Sequence, residues 1–592
     1  MAQFLVVRDP DALRRAGAMA KAQRMLAEDR GLQVSSVELE GLSVVWGVGD
    51  HTPVDVHAGS NGWCLVLGEI LSGPGPERST ASDYLASAGR VSAPFDGLHV
   101  GVIVSPGGGL TVGADLLGIF PVCYTEPGET LLVASAPGLL KCHPSFQCTI
   151  DPLGLTGLLL TNSIIDGVTI FRAVRRLGAG DRLQAAAGGP VREELQYRFP
   201  VTCSHHDQPL HEWSRRLHEA FVASCRRHVR AGVSHAFMMS GGLDSRLMAG
   251  VLRKQGATVT AVIKGLPSDT DLRSGQRVAR HLGFPLQLVI TPGGGTWENF
   301  RNELRWNGMN ACPHMDLGVV VEAVRGHHSR IVSGYLMDAI LGGSHMHWCY
   351  SHARHDTSRE TWFRFLNSLA ISVETLRGLL RPEIFGASID EMLERIRQRF
   401  MRSGDSNLER TWRFDLEHRQ RFYIGGPLLA QMKGAWAVAP HIDREVLETA
   451  GGIPLGAVAD RLVERDMVIR FHRDIARLPL DRGDDADNSP LDPDVRAILR
   501  ALPGRALKKV ATALRLPQRD RRAWRRTFSL ESPAWSGVRR EWESHRELAY
   551  ALFVPEALDS YLPPIGSAWP RELNMNETIG RKIIMAATLL NS

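Results

Sequence analysis

Ser240-Gly241-Gly242-Leu243-Asp244-Ser245 stands between the apolar run His235 to Met239 and a helical pattern carrying Leu247, Met248 and Leu252. Two glycines let the backbone approach a phosphate, successive N–H groups form an anion cradle, and the helix start adds a favourable dipole. Ser240 and Ser245 supply hydroxyl donors. Asp244 puts a carboxylate at the mouth of the cradle, where it repels phosphate unless a hard cation such as Mg2+ lies between them. The pattern points to a metal-bound nucleotide. It lacks the Gly-Lys-Ser/Thr ending of a Walker loop and is not a dinucleotide fingerprint, so cleavage between α- and β-phosphates fits better than γ-phosphate transfer.

The elements around the loop read as strand, turn and amphipathic helix in alternation. His235 to Met239 runs into a helix ending near Arg253, Thr258 to Ile263 into a helix ending near Gly283, and Leu286 to Ile290 follows. This βαβαβ order predicts a parallel sheet with right-handed crossovers. Upstream, Val44 to Val48, Trp63 to Leu67, Leu98 to Val104 and Leu131 to Ala134 are short apolar runs between Gly and Pro, which predicts a β-rich layered domain. The polar stretch Phe199 to Pro209 precedes helical spacing over Trp213 to Val229, so a boundary is set there, dividing the chain into 1–205 and 206–592. Leu379 to Met401 and Asn407 to Tyr423 read as helices.

A chain of 592 residues with 44% hydrophobic and 22% charged residues is a multidomain globular protein, not a disordered or fibrous one. No apolar stretch reaches membrane-span length, and Leu153 to Ile165 is broken by Gly157, Thr161, Asn162 and Ser163. The N-terminus turns charged at Arg8 and Asp9, which excludes a secretory signal and predicts a cytoplasmic protein. Eight cysteines without a CxxC pair predict mostly buried thiols. A formal charge of +5 argues against nucleic acid as a partner.

The loop and its context resemble the asparagine synthetase family. Gly265-Leu266-Pro267, Asp271-Leu272 and Val278 to Gly283 look like that family's second strand and helix. Ser333-Gly334-Tyr335-Leu336-Met337-Asp338, then Gly342-Gly343, takes the place of its Ser-Gly-Glu-Gly-Ala-Asp segment and later Gly pair. Pro440 to Leu447 resembles its Pro-Phe-Leu-Asp-His segment. The resemblance implies an N-terminal glutaminase-like (Ntn-type) αββα sandwich and a C-terminal ATP-pyrophosphatase (PP-loop) α/β domain with a parallel sheet and many helices. It further implies ATP and Mg2+ as cofactors. Met238, Ser240, Gly241, Gly242, Asp244, Ser245, Lys264, Ser333 and Gly334 would then contact the nucleotide, and Asp244 and Asp338 the metal.

Asp115 to Val122, Val133-Ala134-Ser135 and Phe171 to Gly180 resemble the family's glutaminase domain. That glutaminase needs cysteine as its second residue, whereas this chain has Ala2, and Leu67-Gly68-Glu69 lacks the family's Asn before Gly-Glu. Without a thiol or hydroxyl there is no covalent catalysis at Ala2. The N-terminal domain is therefore expected to be structural, and the attacking amine must be free ammonia or part of the substrate.

The resemblance implies a first step in which a carboxylate attacks the α-phosphate of ATP to give an acyl adenylate and pyrophosphate. An amine on the same molecule would then close a ring, with the entropic advantage of an intramolecular reaction. Lasso peptide cyclases (macrolactam synthetases) and β-lactam or carbapenam synthetases both work this way. Tyr335 resembles the β-lactam type, whose Tyr acts with a Glu as general base. A phenol with pKa about 10 needs a carboxylate partner for that role, and Glu374 and Glu417 are the candidates.

The unmatched chain after Leu478 suits a larger substrate. It favours a lasso-type cyclase acting on a precursor peptide, with a leader-peptide-binding protein and leader peptidase as partners. The alternatives are β-lactam-type closure and an ammonia-dependent asparagine synthetase. Lys508 or Lys509, in the basic segment Arg505 to Arg526, is the candidate for a polyphosphate contact, and that segment otherwise reads as a solvated helix face or a contact for an acidic peptide. Arg246 is read as a phosphate contact or as facing away. His345, His347, Cys349, His352 and His355 complete no recognised zinc pattern and are assigned to a substrate pocket or the surface.

Overall fold

The computed structural model describes residues 1–29, 31–88, 95–230, 232–291, 296–306, 317–341, 371–480, 490–493, 495–514, 529–567 and 573–590. The first third of the chain builds two antiparallel six-stranded sheets. One runs β10 (Arg175–Arg176), β8 (Cys123–Thr125), β9 (Leu131–Ala134), β1 (Ala2–Arg8), β3 (Leu42–Gly49) and β2 (Leu32–Leu39). The other runs β12 (Val191–Leu195), β11 (Asp181–Ala185), β7 (Leu110–Ala114), β6 (His99–Val104), β5 (Gly62–Gly68) and β4 (Val54–Gly59).

The period-two alternation of strands decides what each sheet face covers. On β6, Val100, Val102 and Val104 enter the core shared with β1, while Ile103 turns to a separate cluster with Cys64, Val66 and Tyr84 beneath helix Ala81–Ala86. Helix Ala12–Ala27, capped by the Asp11 carboxylate, buries Ala18, Met19, Ala22 and Leu26 against the first sheet. The result is a helix–sheet–sheet–helix stack.

The second sheet system is parallel throughout, in the order β15 (Leu286–Ile290), β14 (Val259–Gly265), β13 (His235–Met238), β16 (Arg330–Val332) and β17 (Trp436–Val438). The chain winds one way from β13 to β15 and the other way to β16 and β17. The C-terminal end of β13 is thus a topological switch point, where an open α/β sheet forms a crevice. The Ser240 loop leaves β13 at that end.

The stretches read as helical downstream are helical, in shorter pieces. Leu379 to Met401 is divided among Val373–Leu379, Pro382–Phe385 and Ser388–Arg402, because Pro382 has no N–H to continue the ladder and the non-helical backbone of Gly386 ends the second piece. Asn407 to Tyr423 is α-helical only to Asp415, and Leu416–Ile424 is a π-helix buried over most of its length. No helix among the described residues is long and apolar enough to cross a membrane. Cys64, Cys123, Cys142 and Cys225 are buried thiols, whereas Cys148 is exposed.

Candidate functional site

At the switch point a cavity of about 320 Å³ opens. Its lining comprises Met238, Met239, Ser240, Asp244 and Ser245 from β13 and the loop, Lys264 from β14 and Asp271 from the next helix. Ser333, Gly334, Tyr335, Leu336 and Asp338 follow β16, and Ile424 ends the π-helix. Most of the residues singled out by sequence therefore line one cavity, though Gly241 and Gly242 are not among its lining residues.

The two loop glycines have different reasons to be glycine. Gly241 has φ +78°, and a Cβ there would stand 2.6 Å from the Gly275 nitrogen. It lets the loop lie against helix Thr270–Leu282. At Gly242 a Cβ would meet only Ser240 Oγ, at 3.3 Å, so that space is open for a ligand. Gly242 precedes helix Leu243–Lys254 with no side-chain cap, leaving first-turn N–H groups for an anion. Ser240 Oγ and Ser245 Oγ are 2.8 Å apart and can turn toward the same phosphate.

Arg246 is settled by its contacts. The side chain is fully buried, and its guanidinium donates to the carbonyls of Gly241 (2.9 Å), Ile475 (2.8 Å), Leu478 (2.9 Å) and Pro479. It ties the loop to the segment beyond it and does not reach for phosphate, which corrects the alternative reading.

Two residues missed in the sequence flank Asp244. Arg461, with a left-handed backbone (φ +59°), pairs with the Asp244 carboxylate and also with Glu464. Glu464 is fully buried, and desolvation holds its carboxyl well above the usual range despite Arg461. Asp244 is also raised, by desolvation and by the nearby Asp338 charge, against the pull of Arg461. Nothing in the letters around Arg461 signals this, because the contact spans 217 positions.

The donor set fits Mg2+ bound with a nucleotide. Asp244 and Asp338 are hard oxygen ligands on one cavity, and their mutual repulsion is what a cation relieves. No group of three or more His, Cys, Asp or Glu among the described residues could hold a metal alone. Phosphate oxygens would have to complete the coordination.

Leu336 takes the place of the family's second glycine and keeps a left-handed backbone, φ +77°, with its side chain fully buried. The Tyr335 carbonyl accepts a hydrogen bond from His441 Nε2 at 2.6 Å, and burial lowers the His441 pKa to about 4, so the ring is neutral. The carboxylates on the cavity with Tyr335 are Asp244, Asp271 and Asp338.

The proposed partners of Tyr335 lie elsewhere. Glu374 is exposed on helix Val373–Leu379 and does not line the cavity. Glu417 is buried in the π-helix against Arg399 at 2.8 Å. Lys508 belongs to helix Val495–Ala513, but its side chain is outside the described residues, and Lys509 is exposed. His345 to His355, the Gly342-Gly343 pair and Arg515 to Arg526 lie outside the described residues.

Residues 216–467 match the sequence model of the asparagine synthase family, less than half of the chain but all of the cavity. The matched stretch is thus similar to asparagine synthase. Among curated proteins, asparagine synthetase [glutamine-hydrolyzing] 3 of Bacillus subtilis (strain 168) is 24% identical over 152 residues, 25% of this chain and 24% of the relative. The match thus spans about a quarter of that protein's length.

Among solved structures, the allosteric regulatory enzyme of purine biosynthesis is 11% identical with a TM-score of 0.22, covering 50% of this chain and 82% of its own. Glutamine phosphoribosylpyrophosphate amidotransferase from B. subtilis, complexed with ADP and GMP, is 12% identical with a TM-score of 0.22, covering 57% and 76%. At that TM-score neither likeness bears on the fold or the chemistry.

Proposed function

We propose that residues 206–592 are an ATP-dependent, amide-forming synthetase and that residues 1–205 are a glutaminase-like domain without glutaminase chemistry. The observation that carries this reading is the meeting of Ser240, Asp244 and Ser245 of the loop with Asp338 and Tyr335 on one cavity at the sheet's switch point. Gly242 and the two serines would hold pyrophosphate, and Asp244 and Asp338 would hold Mg2+. That cation would neutralise charge on the phosphates as the substrate carboxylate attacks the α-phosphate. Lys264, on the same cavity, would contact the nucleotide. Tyr335 would orient the amine that displaces AMP, with a cavity carboxylate rather than Glu374 as its partner.

The substrate we propose is a precursor peptide, closed between its N-terminal amine and an Asp or Glu side chain. Support comes from helix Val495–Ala513, beyond the matched domain, where Leu499, Leu502, Leu507 and Val510 stand exposed in a basic stretch. An amphipathic surface of that kind suits a peptide with acidic and apolar residues. A second reading, ammonia-dependent asparagine synthesis, is favoured by the match to asparagine synthase over 216–467.

The deciding experiment incubates the full chain with ATP, Mg2+ and either candidate precursor peptides or aspartate with ammonia. Peptide product lighter by one water, with AMP and pyrophosphate released, supports the macrolactam reading. Asparagine formation supports the second, and no ATP–pyrophosphate exchange with either substrate defeats both.

A further inference from the structure

We propose that Gly68 and Glu69, at the end of β5, are positioning residues for the synthetase cavity, so that the N-terminal sandwich acts as the template on which the cavity wall is set. This rests on the reading of the cavity as the site of carboxylate activation.

Glu69 is 1% exposed, yet it lies between the two halves of the molecule. Its Oε1 accepts from Arg330 Nη2 at 2.7 Å and Arg230 Nη2 at 2.6 Å, both from the synthetase half, and from Arg78 Nε at 3.0 Å. Arg330 opens β16 and also donates to the His228 carbonyl at 2.9 Å. Three residues along that strand the chain enters Ser333, Gly334 and Tyr335. The acid from the sandwich therefore grips the N-terminal end of the strand whose C-terminal end builds the cavity.

Gly68 engages the neighbouring strand. It has φ +107°, and a Cβ there would meet the Leu98 carbonyl within the sandwich and also Trp436 Cζ2, at the start of β17, at 2.9 Å. β17 and β16 are paired in parallel, and the Ser333 N–H donates to the Val438 carbonyl at 3.0 Å. β17 runs on to His441, which donates to the Tyr335 carbonyl. Asp443 completes the tie, bonded to His228 at 2.9 Å and to Arg227 at 2.6 Å, and Arg227 reaches back to Asp96 of the sandwich at 2.6 Å.

A third contact has the same form. Arg421 of the π-helix donates to the sandwich carbonyls of Gly118 and Leu177, each at 2.8 Å, and that helix ends at Ile424 on the cavity. β16, β17 and the π-helix are thus each anchored on the sandwich a few residues before they reach the site. A small displacement at such an anchor is carried to the reacting groups by close-packed strands, and rate is sensitive to displacements of that size.

The test compares full-length wild type with Glu69→Gln, which keeps shape and removes charge, and with Arg330→Lys, which keeps charge and removes the two-way grip. We expect the exchange kcat to fall about tenfold or more while KM for ATP stays within about threefold. Backbone amide exchange over 330–338 and 436–443 should accelerate, with helix Ala12–Ala27 unchanged. Arg377→Gln, an exposed pair with Asp390, is the control and should behave as wild type. If Glu69→Gln does not fold, Arg330→Lys decides. A folded variant of either kind with wild-type kcat and wild-type protection at those amides overturns the positioning role. If wild type itself shows no exchange, the ligase reading fails, and the amide protection still decides the positioning role.

Discussion

The junction between sandwich and synthetase and the cavity at the switch point both bury carboxylates, but they resolve the charge in opposite ways. At the junction, burial would push Glu69 and Asp443 up, yet His228 and the surrounding arginines hold both below the usual range. At the cavity, desolvation wins: Asp244 on its wall and the buried Glu464 behind it are both raised, although Arg461 pairs with each. A buried charge is tolerated when it is paired and bonded. The junction supplies its own counter-charges, whereas the cavity carries carboxylates that a metal and its nucleotide would satisfy.

The sharpest way to break this contrast is to remove the cavity acid. Asp244→Asn should lower ATP–pyrophosphate exchange about a thousandfold, the scale of losing a main electrostatic stabiliser. It should also abolish the rise in thermal midpoint that MgATP gives to wild type, read by calorimetry with and without ligand. An undiminished exchange rate would remove Asp244 from the metal site.

The loop glycines give the next effect, and they separate. Gly241→Ala forces a Cβ into the backbone of Ser274 and Gly275 at positive φ, so exchange should fall about a hundredfold together with a loss of thermal stability. Gly242→Ala meets no backbone and should leave the midpoint within the shift of about 0.5 kcal/mol, yet it should still weaken nucleotide binding. Equal effects of the two substitutions on stability would count against the open cradle.

The junction predicts a pH effect of definite sign. Burial opposes a charge on His228, but Asp443 and Glu69 overcome it and raise the pKa to about 9 from an ordinary 6.5. Glu69 Oε2 is 3.8 Å from His228 Nδ1, too far for a hydrogen bond, so that part is Coulombic. A cation whose pKa is raised on folding stabilises fully below 6.5 and loses that contribution as pH climbs through about 9. Wild type should therefore lose about 2–3 kcal/mol relative to His228→Gln between pH 6.5 and 10, followed by denaturant melts. Parallel pH profiles for the two proteins would mean that His228 is not a cation in the junction.

The smallest effect belongs to an ion pair outside both regions. Arg377 and Asp390 meet at 2.7 Å with both side chains about half exposed, so Arg377→Gln should change stability by less than about 0.5 kcal/mol.

Much of the parallel-sheet half was legible in the chain. The limits of β15, those of β13 to within one residue, the parallel βαβαβ order and the cavity residues Ser240, Asp244, Ser245, Ser333, Gly334, Tyr335 and Asp338 follow from local patterns, because strand–turn–helix punctuation is written in neighbouring residues. A partner for Tyr335 is not legible, because neither Glu374 nor Glu417 lines the cavity that Tyr335 enters. Arg461 and Glu464 approach Asp244 only because helix Leu462–Phe471 packs on helix Leu243–Lys254. The helical character of Leu379 to Met401 was legible, but its division at Pro382 and Gly386 was not, because the apolar spacing continues across both.

Taken by itself, the sequence determined the chemistry on offer: a glycine-rich anion cradle, two acids suited to a hard cation, and no nucleophile at Ala2. Each is a property of residue type and near-neighbour spacing. The tertiary structure alone decided that Arg246 is a buried strut, that Arg461 shields Asp244, and that Glu69 became an anchor between the two halves. Those roles depend on which distant surfaces close on each other and how far water is excluded there, and a buried charge takes its meaning from the partner that the fold brings to it.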